Sequence, residues 1–94
     1  MRLTNTLLLL LVPVSLFGQE SGIIAENAEI QQVGTGYAFT EGPAVSPDGR
    51  IFFTDQPNDR IYVWDETEGI ELWSEDTGRA NGMYFNASGQ LVAC

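Results

Sequence analysis

Two polar side chains, Glu41 and Asn81, occupy the same place in two similar stretches of the sequence that lie 40 residues apart. The first stretch, residues 40–55, reads TEGPAVSPDGRIFFTD, and residues 80–94 return to the same pattern as ANGMYFNASGQLVAC. In the register that aligns the glycines and the apolar pairs, Glu41 falls on Asn81. The matched positions include Gly42 with Gly82, Gly49 with Gly89, and Ile51 with Leu91.

The side chains of Glu41 and Asn81 are of types that bind cations or polar substrates. A carboxylate at the start of an otherwise apolar strand must be paired, hydrated or bound to a metal. Carboxylate oxygens suit calcium, magnesium or manganese, and zinc also accepts them. An asparagine amide ligates hard cations through its oxygen or hydrogen-bonds a polar substrate. Two plainer interpretations stand beside these: Glu41 caps backbone amides, and Asn81 is a turn residue before Gly82.

The repeat also predicts the fold that positions the pair. A spacing of about 40 residues, with four short strand signals in each unit, is typical of β-propeller blades. Equivalent positions on successive blades face the same central axis, so Glu41 and Asn81 are expected to face one channel. The strands are predicted over residues 44–46, 51–55, 60–65 and 70–75, with a turn of sequence PDGR joining the first two. We therefore expect an all-β protein.

A further strand is predicted over residues 29–34, before the first blade. Its apolar residues alternate weakly, and in propellers the first strand often completes the last blade. The chain is thus expected to hold this closing outer strand, blade 1 and the start of blade 2 of a β-propeller. Because one blade cannot close a ring, we expect residues 29–94 to be the incomplete N-terminal part of a longer propeller domain.

The start of the chain has the features of an export signal. Residues 1–18 contain one basic residue, Arg2, followed by a short apolar run, which is typical of a secretory signal peptide. An uncleaved membrane anchor is the alternative. Residues 19–28 are polar, lack periodicity and are expected to form a flexible lead-in. The expected location is the periplasm or the exterior of the cell, with no stable membrane partner after cleavage.

Charge and composition exclude several function classes. All 13 acidic residues and three of the four basic ones follow Gly18, which leaves that segment with three positive charges against 13 negative ones, or −10. Such a surface argues against nucleic acid as a partner, because binding it requires Lys and Arg patches. With no histidine in the chain, a histidine-based triad or zinc site cannot be built from these residues.

Several motifs together resemble the gluconolactonase/regucalcin family of six-bladed propellers, also described as senescence marker protein/gluconolactonase/luciferin-regenerating enzymes. The resemblance begins with EGP at residues 41–43, SPDG at 46–49 and FTD at 53–55. It covers residues 33–94 and is nearest to the bacterial gluconolactonase branch. The other matching runs are NDRIY at 58–62, WD at 64–65, ANGM at 80–83 and LVAC at 91–94.

The resemblance implies a divalent-metal-dependent hydrolase of sugar lactones with one cation in the channel. The family's glutamate ligand falls on Glu41, and Asn81 matches a channel position that contacts substrate or water. The remaining ligands, the main substrate-contacting segment and the general base are expected beyond Cys94, so Arg79 is not assigned that role. Calcium is the first choice of cation; zinc, magnesium and manganese are the others. The alternatives are a non-catalytic secreted propeller that binds a ligand, and a related propeller esterase.

Overall fold

The computed structural model describes residues 22–94, and the chain divides into two compact units, Met1–Ile30 and Gln31–Cys94. The predicted signal peptide lies outside the described residues. Of the predicted lead-in, residues 22–28 form exposed turns, with the Ala28 N–H donating to the Ala25 carbonyl at 3.0 Å. Within residues 22–94, no helix is long and apolar enough to cross a membrane.

The second unit is built around a four-stranded antiparallel sheet in which each strand pairs with the next along the chain. A single 3₁₀ turn, Gln56–Asn58, joins the second strand to the third. The all-β prediction is confirmed for the described residues. The four strands are β1 (Thr40–Val45), β2 (Ile51–Asp55), β3 (Arg60–Asp65) and β4 (Gly69–Glu75).

A second, two-stranded sheet, β5 (Met83–Phe85) with β6 (Leu91–Ala93), repeats the β1–β2 hairpin. In the first hairpin the Ser46 N–H donates to the Arg50 carbonyl at 2.9 Å, and in the second the Asn86 N–H donates to the Gln90 carbonyl at 3.0 Å. The side chains of Ser46 and Asn86 also accept from the backbone N–H groups of Arg50 and Gln90. The 40-residue repeat of the sequence is therefore a repeat of local structure, because both turns close with the same bonds.

The core lies between the four-stranded sheet and this hairpin. Successive residues of a strand face opposite sides of the sheet, and the buried side chains of β2 and β3 alternate accordingly. Phe52, Ile61 and Val63 are buried on one face, as the apolar pattern of β3 predicts. Half-buried residues of β5 and β6 pack against them: Met83, Phe85 and Leu91.

The opposite face of the sheet carries an aromatic cluster of Tyr37, Phe53 and Tyr62. Phe53 and Tyr62 stand opposite each other on β2 and β3, with ring centroids 5.6 Å apart. Tyr37 meets both rings edge-on, at 5.4 and 5.0 Å. Edge-to-face pairs of this kind add to the stabilisation from apolar burial, so residues 34–37 are held onto this face although they form no strand.

The predicted strand over residues 29–34 is absent from the structure, where residues 29–39 form no regular element. A strand requires a neighbour to satisfy its backbone N–H and C=O groups. Residues 29–34 pair with none of the six described strands, and their alternation of apolar side chains is weak. The prediction is wrong for this segment of the described chain.

Asp55 fastens the segment before β1 to the end of β2. Its side chain is 1% exposed, and its carboxylate accepts from the N–H groups of Ala38 and Phe39 at 3.1 and 3.0 Å. The Asn58 amide donates a third bond at 2.8 Å. Burial alone raises the pKa of Asp55, but these hydrogen bonds and the nearby Arg60 charge outweigh it and lower the pKa below its usual value. Asp55 therefore binds backbone amides at the end of its strand.

Replacing Asp55 with Asn should destabilise the full-length protein by about 2 kcal/mol at neutral pH, because hydrogen bonds to a charged acceptor are lost. Since the pKa of Asp55 is lowered by folding, its stabilisation is present above the unfolded pKa of about 3.9 and is lost as pH falls through the lowered folded value. Urea unfolding of parent and variant from neutral to acid pH measures this. The difference should shrink in acid; a difference that is constant across the range contradicts the assignment. Glu66→Gln, on an exposed turn, is the control.

Candidate functional site

Glu41 lies near the start of β1, directly before a break in the strand pairing. It pairs with Thr54 on β2, and the register shifts between Glu41 and Ala44. The intervening Gly42 has φ +58°, a left-handed conformation that glycine adopts without a steric cost. The sequence Gly-Pro after Glu41 thus bends the strand, and the half-buried Glu41 side chain lies at this bend.

The Asn81 side chain lies against the Glu41 carboxylate. With its Nδ2 turned toward Glu41, the amide donates hydrogen bonds to both carboxylate oxygens, at 2.6 Å to Oε1. An ionised carboxylate only accepts hydrogen bonds, so this orientation is the favourable one when no cation is bound. With the amide turned over, Oδ1 takes the same place and adds a third oxygen beside the carboxylate. The two residues that the repeat predicted to face one channel are thus in contact in the structure.

For residues 22–94, the interpretation of Glu41 as a cap on backbone amides finds no support. The partner that its carboxylate has in this part of the chain is a side-chain amide. Asn81, in contrast, does have a structural role beside Gly82. Its N–H donates to the Cys94 carbonyl at 2.6 Å, next to the bond from the Cys94 N–H to the Gly82 carbonyl at 3.0 Å. The Asn81 backbone therefore extends the β5–β6 pairing at the end opposite the turn, and its side chain contacts Glu41.

The donor chemistry of the pair fits a hard divalent cation in part. Glu41 offers two carboxylate oxygens and Asn81 one amide oxygen, which is the ligand type that calcium prefers. Calcium takes about six to eight oxygen ligands, so these two side chains would fill part of such a shell. Across the described residues no group of three or more His, Cys, Asp or Glu side chains lies close enough to hold a metal.

An apolar cleft with a volume of about 300 Å³ opens beside Glu41. Glu41 is the one charged residue among those that line it within residues 22–94, and the surroundings are aromatic and aliphatic. A ligand that reached Glu41 from this side would place an apolar part in the cleft. The main lining residues besides Glu41 are Val33, Tyr37, Pro43, Phe53 and Ile70.

The backbone of Arg79 is held by Asp59. Its N–H donates to Asp59 Oδ1 at 2.6 Å, and Thr77 donates to the same oxygen through its N–H and its hydroxyl, both at 3.0 Å. The bond from Arg79, followed by those from Thr77, holds the pKa of Asp59 below its usual value. The Glu75 carboxylate pairs with Arg60 at 3.1 Å.

Residues 86–88, with the sequence NAS, match the N-glycosylation sequon and lie in the turn between β5 and β6. Asn86 Oδ1 accepts from the N–H groups of Ser88 and Gln90 at 3.0 and 2.9 Å, and its Nδ2 donates to Gln90 Oε1 at 2.9 Å. Both ends of the amide are therefore occupied within the turn. The Asn86 side chain is therefore used by the turn between β5 and β6.

Thr54 and Gly42 also shape the site, and the sequence analysis missed their contacts with Asn81. The Thr54 hydroxyl donates to the backbone carbonyls of Glu41 and Asn81, at 3.0 and 3.2 Å. Gly42 lies so close to Asn81 that a Cβ there would collide with the Asn81 carbonyl oxygen. The sequence does carry one signal of this role: Thr54 is the single hydroxyl residue in the mainly apolar strand IFFTD, one position before Asp55.

Comparison with known proteins adds no relative to this description. No protein-family model, no curated protein and no solved structure matches the chain.

Proposed function

We propose that this chain is part of a divalent-metal-dependent hydrolase of sugar lactones, similar to gluconolactonase. The observation that supports this proposal is the contact between Glu41 and Asn81, an acid and an amide at the starts of two repeated hairpins. A carboxylate and an amide oxygen at one point provide part of the hard ligand set and polar contacts that a metal-dependent hydrolase of hydroxylated lactones uses.

The proposed fold is a six-bladed β-propeller in which β1–β4 form one blade and β5–β6 begin the next. Two features support it: the antiparallel order of β1–β4, and the repetition of the same turn hydrogen bonds 40 residues later. A blade of a propeller is a four-stranded antiparallel sheet of this kind. In such a ring the ends of the strands near Glu41 and Asn81 would face the central channel.

In this proposal Glu41 contributes charge to the site and Asn81 contributes orientation. A bound divalent cation, calcium first among the candidates, supplies Lewis-acid chemistry that polarises the lactone carbonyl and stabilises the developing oxyanion. Glu41 provides the negative charge that retains the cation. The Asn81 amide presents either its oxygen to the cation or its N–H groups to a hydroxyl of the sugar ring. No catalytic base is assigned to residues 22–94.

The test is hydrolysis of a simple aldonolactone by the full-length protein, first freed of metal with a chelator. Calcium, zinc, magnesium and manganese are then added back separately while acid release is followed. Activity that disappears with the chelator and returns with one cation supports the proposal. Cation binding without turnover would instead indicate the non-catalytic binding module.

A second candidate, an esterase of the same fold, is favoured by the apolar cleft beside Glu41. Sugar lactones carry hydroxyl groups around the ring, whereas the lining of the cleft is mainly apolar. An ester with an aliphatic or aromatic group would bury that group there. Aryl esters and aldonolactones compared in the same assay distinguish the two, because a preference for the aryl ester assigns the cleft to substrate binding.

We also propose that the protein is exported to the periplasm or the exterior of the cell. The support is the basic residue and apolar run of residues 1–18, which lie outside the described residues. Sequencing the N-terminus of the protein from its native host tests this, because cleavage should leave a new terminus near Gln19. Soluble protein that retains Met1 would contradict export.

A further inference from the structure

We infer that Thr54 is a positioning residue that sets the geometry of the Glu41–Asn81 pair. Its single hydroxyl proton is shared between two carbonyl oxygens, those of Glu41 at 3.0 Å and Asn81 at 3.2 Å. These carbonyls belong to the two residues whose side chains meet at the candidate site. Thr54 therefore joins, through one buried hydroxyl, the backbones that carry both functional groups.

The surroundings of Thr54 make this bridge stiff. The residue is 0% exposed, so water cannot replace its hydroxyl, and hydrogen bonds are strengthened away from solvent. Thr54 lies on the central part of the sheet, paired with Glu41 on one side and with Ile61 on the other. A β-branched side chain in a strand is also restricted at χ1, which keeps the hydroxyl aimed at the two carbonyls.

The repeat of the chain provides an internal comparison. Cys94 falls on Thr54 in the 40-residue register, and its thiol lies 3.5 Å from the Gly82 carbonyl, at the same end of the second hairpin. A thiol is a weak donor, whereas the hydroxyl of Thr54 makes two shorter contacts. One of the Thr54 contacts is to the Asn81 carbonyl in the second repeated unit, which indicates that Thr54 holds the two units together and does more than bond within its own hairpin.

The consequence is that the Thr54 hydroxyl controls how closely the Asn81 amide approaches the Glu41 carboxylate. Without the hydroxyl, the two carbonyls lose their shared donor and the strand starts are free to separate. The sheet itself should survive, because its ladder and its core of Phe52, Ile61 and Val63 remain. Binding by the pair should weaken while the fold persists.

The experiment compares four variants of the full-length protein: Thr54→Ser, Thr54→Cys, Thr54→Val, and Thr35→Val as an exposed control. The first readout needs no cation. In the chelator-treated protein, the NMR cross-peak between the Asn81 side-chain amide protons and the Glu41 side-chain protons should report how closely the two groups approach, because Nδ2 donates to that carboxylate. The cross-peak intensity should be retained in Thr54→Ser and Thr35→Val, reduced in Thr54→Cys and at least about halved in Thr54→Val.

The second readout is calcium affinity measured by calorimetry, and this part rests on the proposed function. Thr54→Val should weaken binding about tenfold, the loss expected from one misplaced hydrogen bond, while Thr54→Ser should remain close to the parent. If Thr54→Val does not fold, the comparison of the parent with Thr54→Ser and Thr54→Cys provides the test.

The two readouts separate failure of this inference from failure of the proposed function. A parent that binds no cation overturns the proposed function, and the amide signals still test Thr54. An Asn81–Glu41 cross-peak that is equally intense across the folded members of the Thr54 series and the parent overturns the inference about Thr54, whatever the cation does.

Discussion

Replacing Glu41 with Gln should abolish cation binding by the full-length protein and remove lactone hydrolysis with it. The substitution keeps the size of the side chain and one carbonyl oxygen but removes the negative charge that retains a divalent ion. Loss of a partner that only supports a metal ligand typically costs about 10–100-fold in affinity, so loss of the charged ligand should cost at least about 100-fold. The fold should persist, because the Gln amide can still form a hydrogen bond with Asn81.

Calorimetry with calcium, zinc, magnesium and manganese measures the binding, and release of acid from an aldonolactone measures the activity. Glu68→Gln is the control, since it makes the same chemical change on the exposed turn between β3 and β4. The control should match the parent in both measurements. If Glu41→Gln binds the cation and turns over like the parent, the assignment of the metal site to Glu41 is wrong.

The equivalent positions of Glu41 and Asn81 in two repeated hairpins could be predicted from sequence, because they follow from a repeat. When two hairpins close with the same turn hydrogen bonds, equivalent residues take equivalent positions in them, and the matched glycines fix the register. The strand β3 was predictable for a similar reason: its alternation is strict, with Ile61 and Val63 on the buried face and Tyr62 on the other. Strong periodicity and repetition are properties of the sequence itself.

Contacts between the two hairpins could not be predicted in this way. Thr54 bridges Glu41 and Asn81, and the more distant partner, Asn81, lies 27 residues away along the chain. Nothing in the local pattern of β2 indicates that partner. The error at residues 29–34 has the same origin. Weak alternation can indicate a strand, but a strand forms only where a neighbouring edge is available for pairing, and the position of edges is a property of the assembled chain.

Gly42→Ala should be the most destabilising small substitution in the first hairpin. Gly42 has φ +58°, where an L-residue costs roughly 1–2 kcal/mol. A Cβ there would also collide with the Asn81 carbonyl oxygen and would lie 3.1 Å from the Asn81 carbonyl carbon and 3.3 Å from the Gly82 Cα. Because these are backbone atoms, they cannot rotate away as a flexible side chain could. Overpacking of this kind typically adds about 1–3 kcal/mol, for a total loss of about 3 kcal/mol.

Gly49→Ala separates the two contributions to this loss. Gly49 also has a positive φ, +86°, but a Cβ there meets nothing within 4 Å. It should therefore show the backbone cost alone, about 1–2 kcal/mol, and leave cation binding unchanged. Gly42→Ala should lose the additional stability and also weaken cation binding, because the collision pushes Asn81 away from Glu41. Urea unfolding and calcium calorimetry on both variants of the full-length protein give the comparison. Equal stability and equal affinity in the two variants would show that the close approach of Gly42 to Asn81 contributes nothing to the site.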